Sequence, residues 1–504
     1  MKKLPIGIQT FENLITEGYL YVDKTHFIQS LTGQGKYYFL SRPRRFGKSL
    51  LLSTIKAAYQ GKKELFNGLS VLDQWDWQTI HPVIHISFGS GVIRDVHDLE
   101  IRFQRILENH ASHYGLNLFQ TDLRERFAEL IHGLSQQFSH KVVILVDEYD
   151  KPILDNIERS DTALDIREEL KNYYAVIKDA DPDMQFVLIT GVSKFSKVSL
   201  FSGLNNLKDI TLDRRYSALC GYTQKELESA FADQLLGLDL AQVRKWYNGY
   251  SWLGEEVYNP FDILLYLDSR VFANYWFETG TPSFLIKLVH GKQLFIPDLD
   301  NLHASEQLLG SFDVDQVEPE ALLFQTGYLT IQDTELLFDQ EVMYVLGFPN
   351  HEVKKSFHRS IVHWYTGNSQ LAFQRACYRA LQSGDFDALR DVLSSLFASI
   401  PHDWYRKNQL SGYEGYYVSI VYAYFAALGL DVRPEETTNK GRIDLVIRFE
   451  NRVFVIEFKV LELTAAVRPL EQIKARGYAE KFSGQEVFWD WGGVFQPGSE
   501  YCGI

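Results

Sequence analysis

The sequence predicts an α/β fold: a doubly wound parallel sheet first, then a mostly helical middle region, then a smaller α/β domain at the C-terminus. Three observations predict it. Short apolar runs alternate with helical stretches through about residue 215. One of these runs, Tyr37-Tyr38-Phe39-Leu40, passes through Ser41-Arg42-Pro43-Arg44-Arg45-Phe46 into Gly47-Lys48-Ser49. Near the other end, two strand-like segments carry Asp444 and the run Glu457-Phe458-Lys459.

The first element is the strand, loop and helix around Gly47-Lys48-Ser49. Such a unit cradles a triphosphate, because loop N–H groups and the helix N-terminus attract phosphate oxygens. Lys48 neutralises them and the Ser49 hydroxyl can ligate Mg²⁺. The general pattern G-x-x-x-x-G-K-[ST] has Gly where this chain has Arg42. Nucleotide contacts are expected from Arg45, Phe46, Gly47, Lys48, Ser49, Leu50 and Thr190.

The second element is Val142-Val143-Ile144-Leu145-Val146 followed by Asp147-Glu148. Five consecutive apolar residues ending in carboxylates read as a buried parallel strand with its acids at the ligand-binding edge of the sheet. Asp147 is expected to hold Mg²⁺ and Glu148 to orient and deprotonate the attacking water. Asp150 is expected to be a solvated or capping residue. A third strand, Gln185–Gly191, runs toward Ser193. If it is inserted between the two phosphate-binding strands, Thr190 or Ser193 contacts the γ-phosphate or the lytic water. Val83–Phe88 and Asp209–Leu212 complete the sheet.

Composition fits a large globular chain. The 504 residues are 45% hydrophobic and 23% charged, enough for several buried cores. No apolar run approaches the ~20 residues that span a bilayer, and Met1-Lys2-Lys3-Leu4-Pro5 lacks the apolar core of a secretory signal. Cys220, Cys377 and Cys502 are too few and too scattered for a disulfide framework or a zinc site. A cytoplasmic location is expected. The net charge of −14 argues against a wholesale nucleic-acid coat. Residues 401–482, however, hold 12 Lys/Arg against 11 Asp/Glu, so this segment is nearly neutral.

The C-terminal element is a hairpin. With Glu450-Asn451 as its two-residue loop, Phe449 faces Arg452 and the ladder runs on until Asp444 faces Glu457. Opposed residues share one face of a sheet, and Lys459 returns to that face with the period of two. Two facing carboxylates repel unless a cation lies between them, so Asp444 and Glu457 read as ligands of a divalent metal. Lys459 is suited to positioning water or meeting phosphate charge. Glu414, opening a helix-like stretch, is a further candidate ligand.

The run Arg42-Pro43-Arg44-Arg45-Phe46-Gly47-Lys48-Ser49, with Tyr21-Val22-Asp23-Lys24-Thr25 before it, resembles the bacterial AAA-ATPase-like family. So does Gly191-Val192-Ser193-Lys194-Phe195-Ser196, followed by Gly203-Leu204-Asn205-Asn206. Gly441-Arg442-Ile443-Asp444 and Glu457-Phe458-Lys459, with Gln472-Ile473-Lys474 and Gly477-Tyr478, resemble the PD-(D/E)XK nuclease domain often fused to it. The resemblance covers residues 1 to about 290 and 400 to about 485, and it makes Arg42 a family trait. It implies a P-loop ATPase, a helical lid, and a restriction-endonuclease-like domain with Asp444, Glu457 and Lys459 as its core, supported by Glu414 and Gln472. Where that motif has Pro-Asp, this chain has Ile443-Asp444. The expected cofactors are ATP and Mg²⁺, with Mn²⁺ an alternative at the nuclease site. The expected partners are nucleic acid, foremost DNA, and other copies of the chain joined through the ATPase domain. Action on foreign DNA is the matching task. The alternative is an ATP-dependent switch or scaffold whose C-terminal domain binds nucleic acid or protein without cutting.

The expected domains are residues 1–220, an ATPase core; 221–400, a mostly helical lid and connector; and 401–504, the nuclease-like domain. Asn259-Pro260 is a helix start, and Gly249–Tyr258 reads as a hairpin wing of that lid. Aromatics at Tyr275-Trp276-Phe277 read as core packing. Arg214 and Arg215 are candidates for an arginine finger reaching a neighbouring subunit.

Overall fold

A computed structural model describes residues 2–194, 200–201, 204, 206–276, 283–292, 294–310, 317–337, 340–366, 370–398, 414–438, 441–460, 481–482 and 486–495. The chain forms two compact units, one of residues 1–281 and 303–350, the other of residues 282–302 and 351–504. Among the described residues no helix is long and apolar enough to cross a membrane.

The first unit is built on five parallel strands: β1 (Tyr37–Ser41), β2 (Val83–Ser87), β3 (Val142–Asp147), β4 (Met184–Gly191) and β5 (Lys208–Asp209). Their order is β2-β3-β4-β1-β5. Every residue of β1 and β3 is buried, as expected of parallel strands covered by helices on both faces. The covering helices include Lys48–Tyr59, Val96–Tyr114, Leu123–Phe138 and Ser160–Asp179. Two of them begin at aspartate caps, Asp95 accepting from the Asp98 N–H and Asp122 from the Arg124 and Glu125 N–H groups. β4 lies between β1 and β3, the insertion considered from sequence, so Thr190 stands between the two phosphate-binding strands. The edge strand is shorter than the Asp209–Leu212 run suggested. It pairs only through Lys208 and Asp209, after which the Thr211 hydroxyl takes the Ser41 N–H at 3.1 Å.

Gly191, the last residue of β4, is packed tightly against the end of β3. A Cβ there would lie 2.5 Å from the Tyr149 ring and 2.6 Å from Asp150 Oδ1. Tyr149 is fully buried and cannot swing away. Gly191→Ala is therefore expected to cost about 1–3 kcal/mol of stability, visible as a lower urea midpoint.

A small antiparallel pair, β6 (Tyr222–Thr223) and β7 (Val257–Tyr258), anchors the lid helices. Within the stretch Gly249–Tyr258, Tyr250 and Val257 exchange backbone hydrogen bonds of 3.3 and 2.9 Å as an isolated bridge. Helix Gln224–Ala230 starts with a capping box between Thr223 and Glu226, and helix Pro260–Ser269 is capped by Asn259. Leu227, Phe231, Val243, Tyr247, Ile263 and Leu267 form their common core. A further sheet, β8 (Leu302–Ser305), β9 (Thr330–Leu336) and β10 (Val342–Gly347), has the order β8-β10-β9.

The second unit holds helices His351–Thr366, Gln370–Ser383, Phe386–Ala398 and Glu414–Ala427. Its sheet joins β11 (Asp431–Thr438), β12 (Gly441–Phe449), β13 (Arg452–Val460) and β14 (Glu486–Phe495) in chain order. The first three run antiparallel and β14 is parallel to β13. Residues 418–427 of the last helix are buried on every side, matching its apolar sequence. Tyr422 and Tyr424 are core residues, Tyr422 donating to Asp300.

Candidate functional site

The chain leaves β1 with the Arg42 N–H bonded to the Gly191 carbonyl at 3.1 Å. Two left-handed residues then fold the loop, Arg45 at φ 68° and Gly47 at φ 90°. The second is a conformation that favours glycine, and it aims the first turn of helix Lys48–Tyr59 back at the loop. The three arginines diverge. Arg42 is fully buried and donates to the carbonyls of Ser41, Thr211 and Tyr216 at 2.8, 2.9 and 3.2 Å, with its guanidinium 4.1 Å from the Trp252 ring centre. Burial pushes its pKa down to about 10, so it stays charged at neutral pH. Arg42 is thus a tie beneath the loop, standing where the general pattern has glycine. Arg45 lies over the Phe261 ring at 4.7 Å. Phe46 is buried edge-on to Tyr250 and Trp252.

Lys48 is buried, and its ammonium donates to the Arg42 and Pro43 carbonyls at 2.8 and 2.9 Å. Burial pulls its pKa below the ordinary lysine value, opposed chiefly by the Asp147 carboxylate. The Ser49 hydroxyl donates to Asp147 Oδ2 at 2.6 Å, although 98 positions separate the two residues. The Thr190 hydroxyl bonds the other oxygen, Asp147 Oδ1, at 3.0 Å, and the Val146 carbonyl at 3.2 Å. Ser193 is engaged elsewhere, on Asp150. Asp150 is buried rather than solvated; it stands at the N-cap position of helix Lys151–Leu154, but its side chain makes no capping bond there. Its carboxylate accepts from the Val192 N–H at 3.1 Å and from the Ser193 N–H and hydroxyl at 2.7 Å each, tying the end of β4 to β3.

Glu148 takes φ 54°, a left-handed conformation uncommon outside glycine, which turns it off the end of β3. Its carboxylate lies beside Gly89, after β2. Burial is the largest influence on its pKa and raises it; Asp147 raises it further, while Lys48 and Arg44 oppose the rise. A carboxyl of raised pKa beside a buried ammonium has the properties of a general base.

Lys48, Ser49 and Glu148 open onto a cavity of about 460 Å³ lined also by Lys24, Arg44 and Phe261, among others; Asp147 and Thr190, the latter an expected nucleotide contact, are not among its lining residues. Arg45, Phe46, Gly47 and Leu50 also face it. Lys24 was not anticipated as a site residue. Its ammonium is bound by both Glu226 oxygens at 2.6 and 2.7 Å and by the Ala218 carbonyl at 2.7 Å, joining the segment before β1 to the first lid helix. Ser49 and Asp147 offer a hydroxyl and a carboxylate 2.6 Å apart. Hard oxygens of this kind suit Mg²⁺, which binds at about 2.0–2.1 Å and keeps phosphate and water ligands. These two side chains would hold the ion.

In the second unit the hairpin register is the expected one. Phe449 pairs with Arg452, and the ladder continues to Leu445 opposite Ile456. The β12–β13 pairing stops there, one rung short of the expected Asp444–Glu457 pair. Glu450 turns the hairpin at φ 53°. Asp444 is half-buried. Glu457 and Lys459 pair along β13 with Gly492 and Val494 of β14, and Glu414 opens helix Glu414–Ala427. The side chains of Glu414, Glu457 and Lys459, and all of Gln472, lie outside the described residues. Among the described residues no three His, Cys, Asp or Glu side chains converge as a metal set. Sequence reading missed Glu436, whose carboxylate meets Lys481 at 2.8 Å and Arg448 at 3.9 Å. Its signal was the acidic pair Glu435-Glu436 just ahead of Gly441-Arg442-Ile443-Asp444.

A family model described as a predicted AAA-ATPase matches residues 5–201, and one described as the PD-(D/E)XK nuclease superfamily matches residues 412–501. The chain is 51% identical over 485 residues to an "Uncharacterized protein in vnfD 5'region" of Azotobacter chroococcum mcd 1, covering 95% of this chain and 94% of that protein. No solved structure matches it.

Proposed function

The chain belongs to the predicted AAA-ATPase family and carries a C-terminal domain of the PD-(D/E)XK nuclease superfamily, and from that premise we propose that it binds and hydrolyses ATP to drive or license a metal-dependent nuclease. The observation that carries the ATPase half is the meeting of the loop hydroxyl of Ser49 with Asp147 at the end of β3, 98 positions away. In this reading Lys48 leaves the Arg42 and Pro43 carbonyls for the β- and γ-phosphates of ATP. Ser49 and Asp147 would hold Mg²⁺, which would supply charge neutralisation of the phosphates. Glu148 accepts a proton from the water that attacks the γ-phosphorus, and Thr190 keeps the Asp147 carboxylate in orientation.

The nuclease half rests on the family match and on the β12–β13 register. Asp444 and Glu457 would hold a divalent cation, which would supply Lewis acidity for phosphodiester hydrolysis. Lys459 meets charge on the phosphate, with Glu414 and Gln472 in support. The substrate is nucleic acid, foremost DNA, and the working form is a cytoplasmic homo-oligomer assembled through the ATPase unit.

The test is to incubate the purified chain with linear, circular and single-stranded DNA in Mg²⁺ or Mn²⁺, with and without ATP. Phosphate release and strand scission are both expected. ATP turnover without scission on any substrate would move the assignment to a nucleotide-dependent switch whose C-terminal domain only binds.

A further inference from the structure

The loop between β1 and the Lys48 helix spends its three arginines differently. Arg42 is committed to three carbonyls below the loop, and Arg45 is laid on Phe261. Arg44 is exposed, and among the described residues no carboxylate pairs with it. Its backbone is nonetheless held on both sides. The Arg44 carbonyl accepts from Trp276 Nε1 at 3.2 Å. Pro43 is wedged against Gly327, where an added Cβ would lie 2.7 Å from the proline ring. A fixed backbone thus presents a long, unpaired cation at the rim of the cavity, beside Lys48, Ser49 and Glu148.

Arg214 and Arg215, the candidates named from sequence, are placed otherwise. Arg215 is forked on Asp213 at 2.9 and 2.6 Å and bonded to Gln34 at 2.9 Å. Neither is among the residues lining the cavity.

We infer that Arg44 is an arginine finger supplied in cis, its guanidinium reaching the γ-phosphate of ATP bound in the same subunit. The inference rests on reading the cavity as the ATP site. As the water oxygen bonds to the γ-phosphorus, the bond from that phosphorus to the β–γ bridging oxygen breaks and the electron pair passes to ADP. The proton of the water goes to Glu148. Arg44 exchanges no proton; it stabilises the charge on the equatorial and bridging oxygens in the transition state. A chain that carries its own finger hydrolyses ATP without help from a neighbour's active site.

The experiment measures phosphate release over a range of protein concentrations for wild type, Arg44→Ala, Arg215→Ala and an equimolar mixture of Arg44→Ala with Lys48→Ala. Binding of a fluorescent ATP analogue is measured in parallel. Arg44→Ala is expected to lose on the order of 10³-fold in kcat, with analogue affinity changed only a few-fold. Arg215→Ala keeps the wild-type rate, and wild-type activity per molecule does not depend on concentration. The Lys48→Ala subunits still carry Arg44, yet the mixture stays inactive. Recovery in the mixture would assign the finger in trans and overturn the inference, as would an Arg44→Ala rate close to wild type. A wild-type chain that releases no phosphate would instead overturn the ATPase reading, and this inference with it.

Discussion

Glu148→Gln is expected to lower ATP turnover by ~10²–10⁴-fold, the range a positioned general base contributes, while ATP binding survives. The substitution keeps the size of the side chain and its place beside Gly89, and removes only the ability to accept a proton. Retained binding is expected because Lys48 and Ser49, the groups proposed to meet the phosphates, are untouched. The same residue sets the acid limb of the rate profile. Burial and Asp147 raise the Glu148 pKa above its ordinary 4.5. The base must be ionised to act, so kcat/KM falls as pH drops through that raised value, and the limb lies on the alkaline side of an unperturbed glutamate. In Glu148→Gln the residual rate loses this limb. A wild-type profile flat down to pH 4.5 would remove Glu148 from the role of base.

Asp444→Asn is expected to abolish scission, by on the order of 10³-fold or more. Losing the metal's charge stabilisation costs several kcal/mol, and each ~1.4 kcal/mol is tenfold in rate. The β12–β13 ladder is paired from Phe449–Arg452 to Leu445–Ile456, and Asp444 and Glu457 are the next residue of each strand beyond it. An amide in place of one carboxylate removes the negative charge that draws a divalent cation there. The change is isosteric at a half-buried strand position, and the Asp444 neighbours Ile443 and Leu445 stay packed. ATP binding by the same preparation is the folding control. Undiminished cleavage by Asp444→Asn, with the control intact, would assign the nuclease activity to other residues.

Much of this was legible in the chain. Continuous apolar runs announced β1, β3 and β4, because parallel strands covered on both faces have no polar positions to show. The two-residue turn at Glu450-Asn451 set the hairpin register, because a short loop leaves the strands no freedom to slide. The edge strand at Lys208–Asp209 was overdrawn, because Thr211 spends its hydroxyl on Ser41 instead of extending the ladder. Asp150 was misjudged as solvated. An acid after a buried strand looks like a surface turn until the end of β4 arrives with the Val192 and Ser193 N–H groups that it accepts.

By itself the sequence determined which residue types are present for phosphate, metal and water, and which local geometry each adopts. Strand, loop and helix around Gly47-Lys48-Ser49 follow from neighbours along the chain, since backbone propensity and turn chemistry act over a few residues. Only the tertiary structure decided how those residues are used. Arg42, Arg44 and Arg45 are near-identical in sequence terms, yet one is buried on Trp252, one is left at the cavity rim and one is stacked on Phe261. The rings that two of them meet, Trp252 and Phe261, lie more than 200 positions further along the chain. Likewise Asp147 receives the Ser49 hydroxyl on one oxygen and the Thr190 hydroxyl on the other, the second because β4 inserts between β1 and β3. The physical reason is one of range. Hydrogen bonds and charge act over a few ångströms, and which groups come that close is set by packing between distant segments.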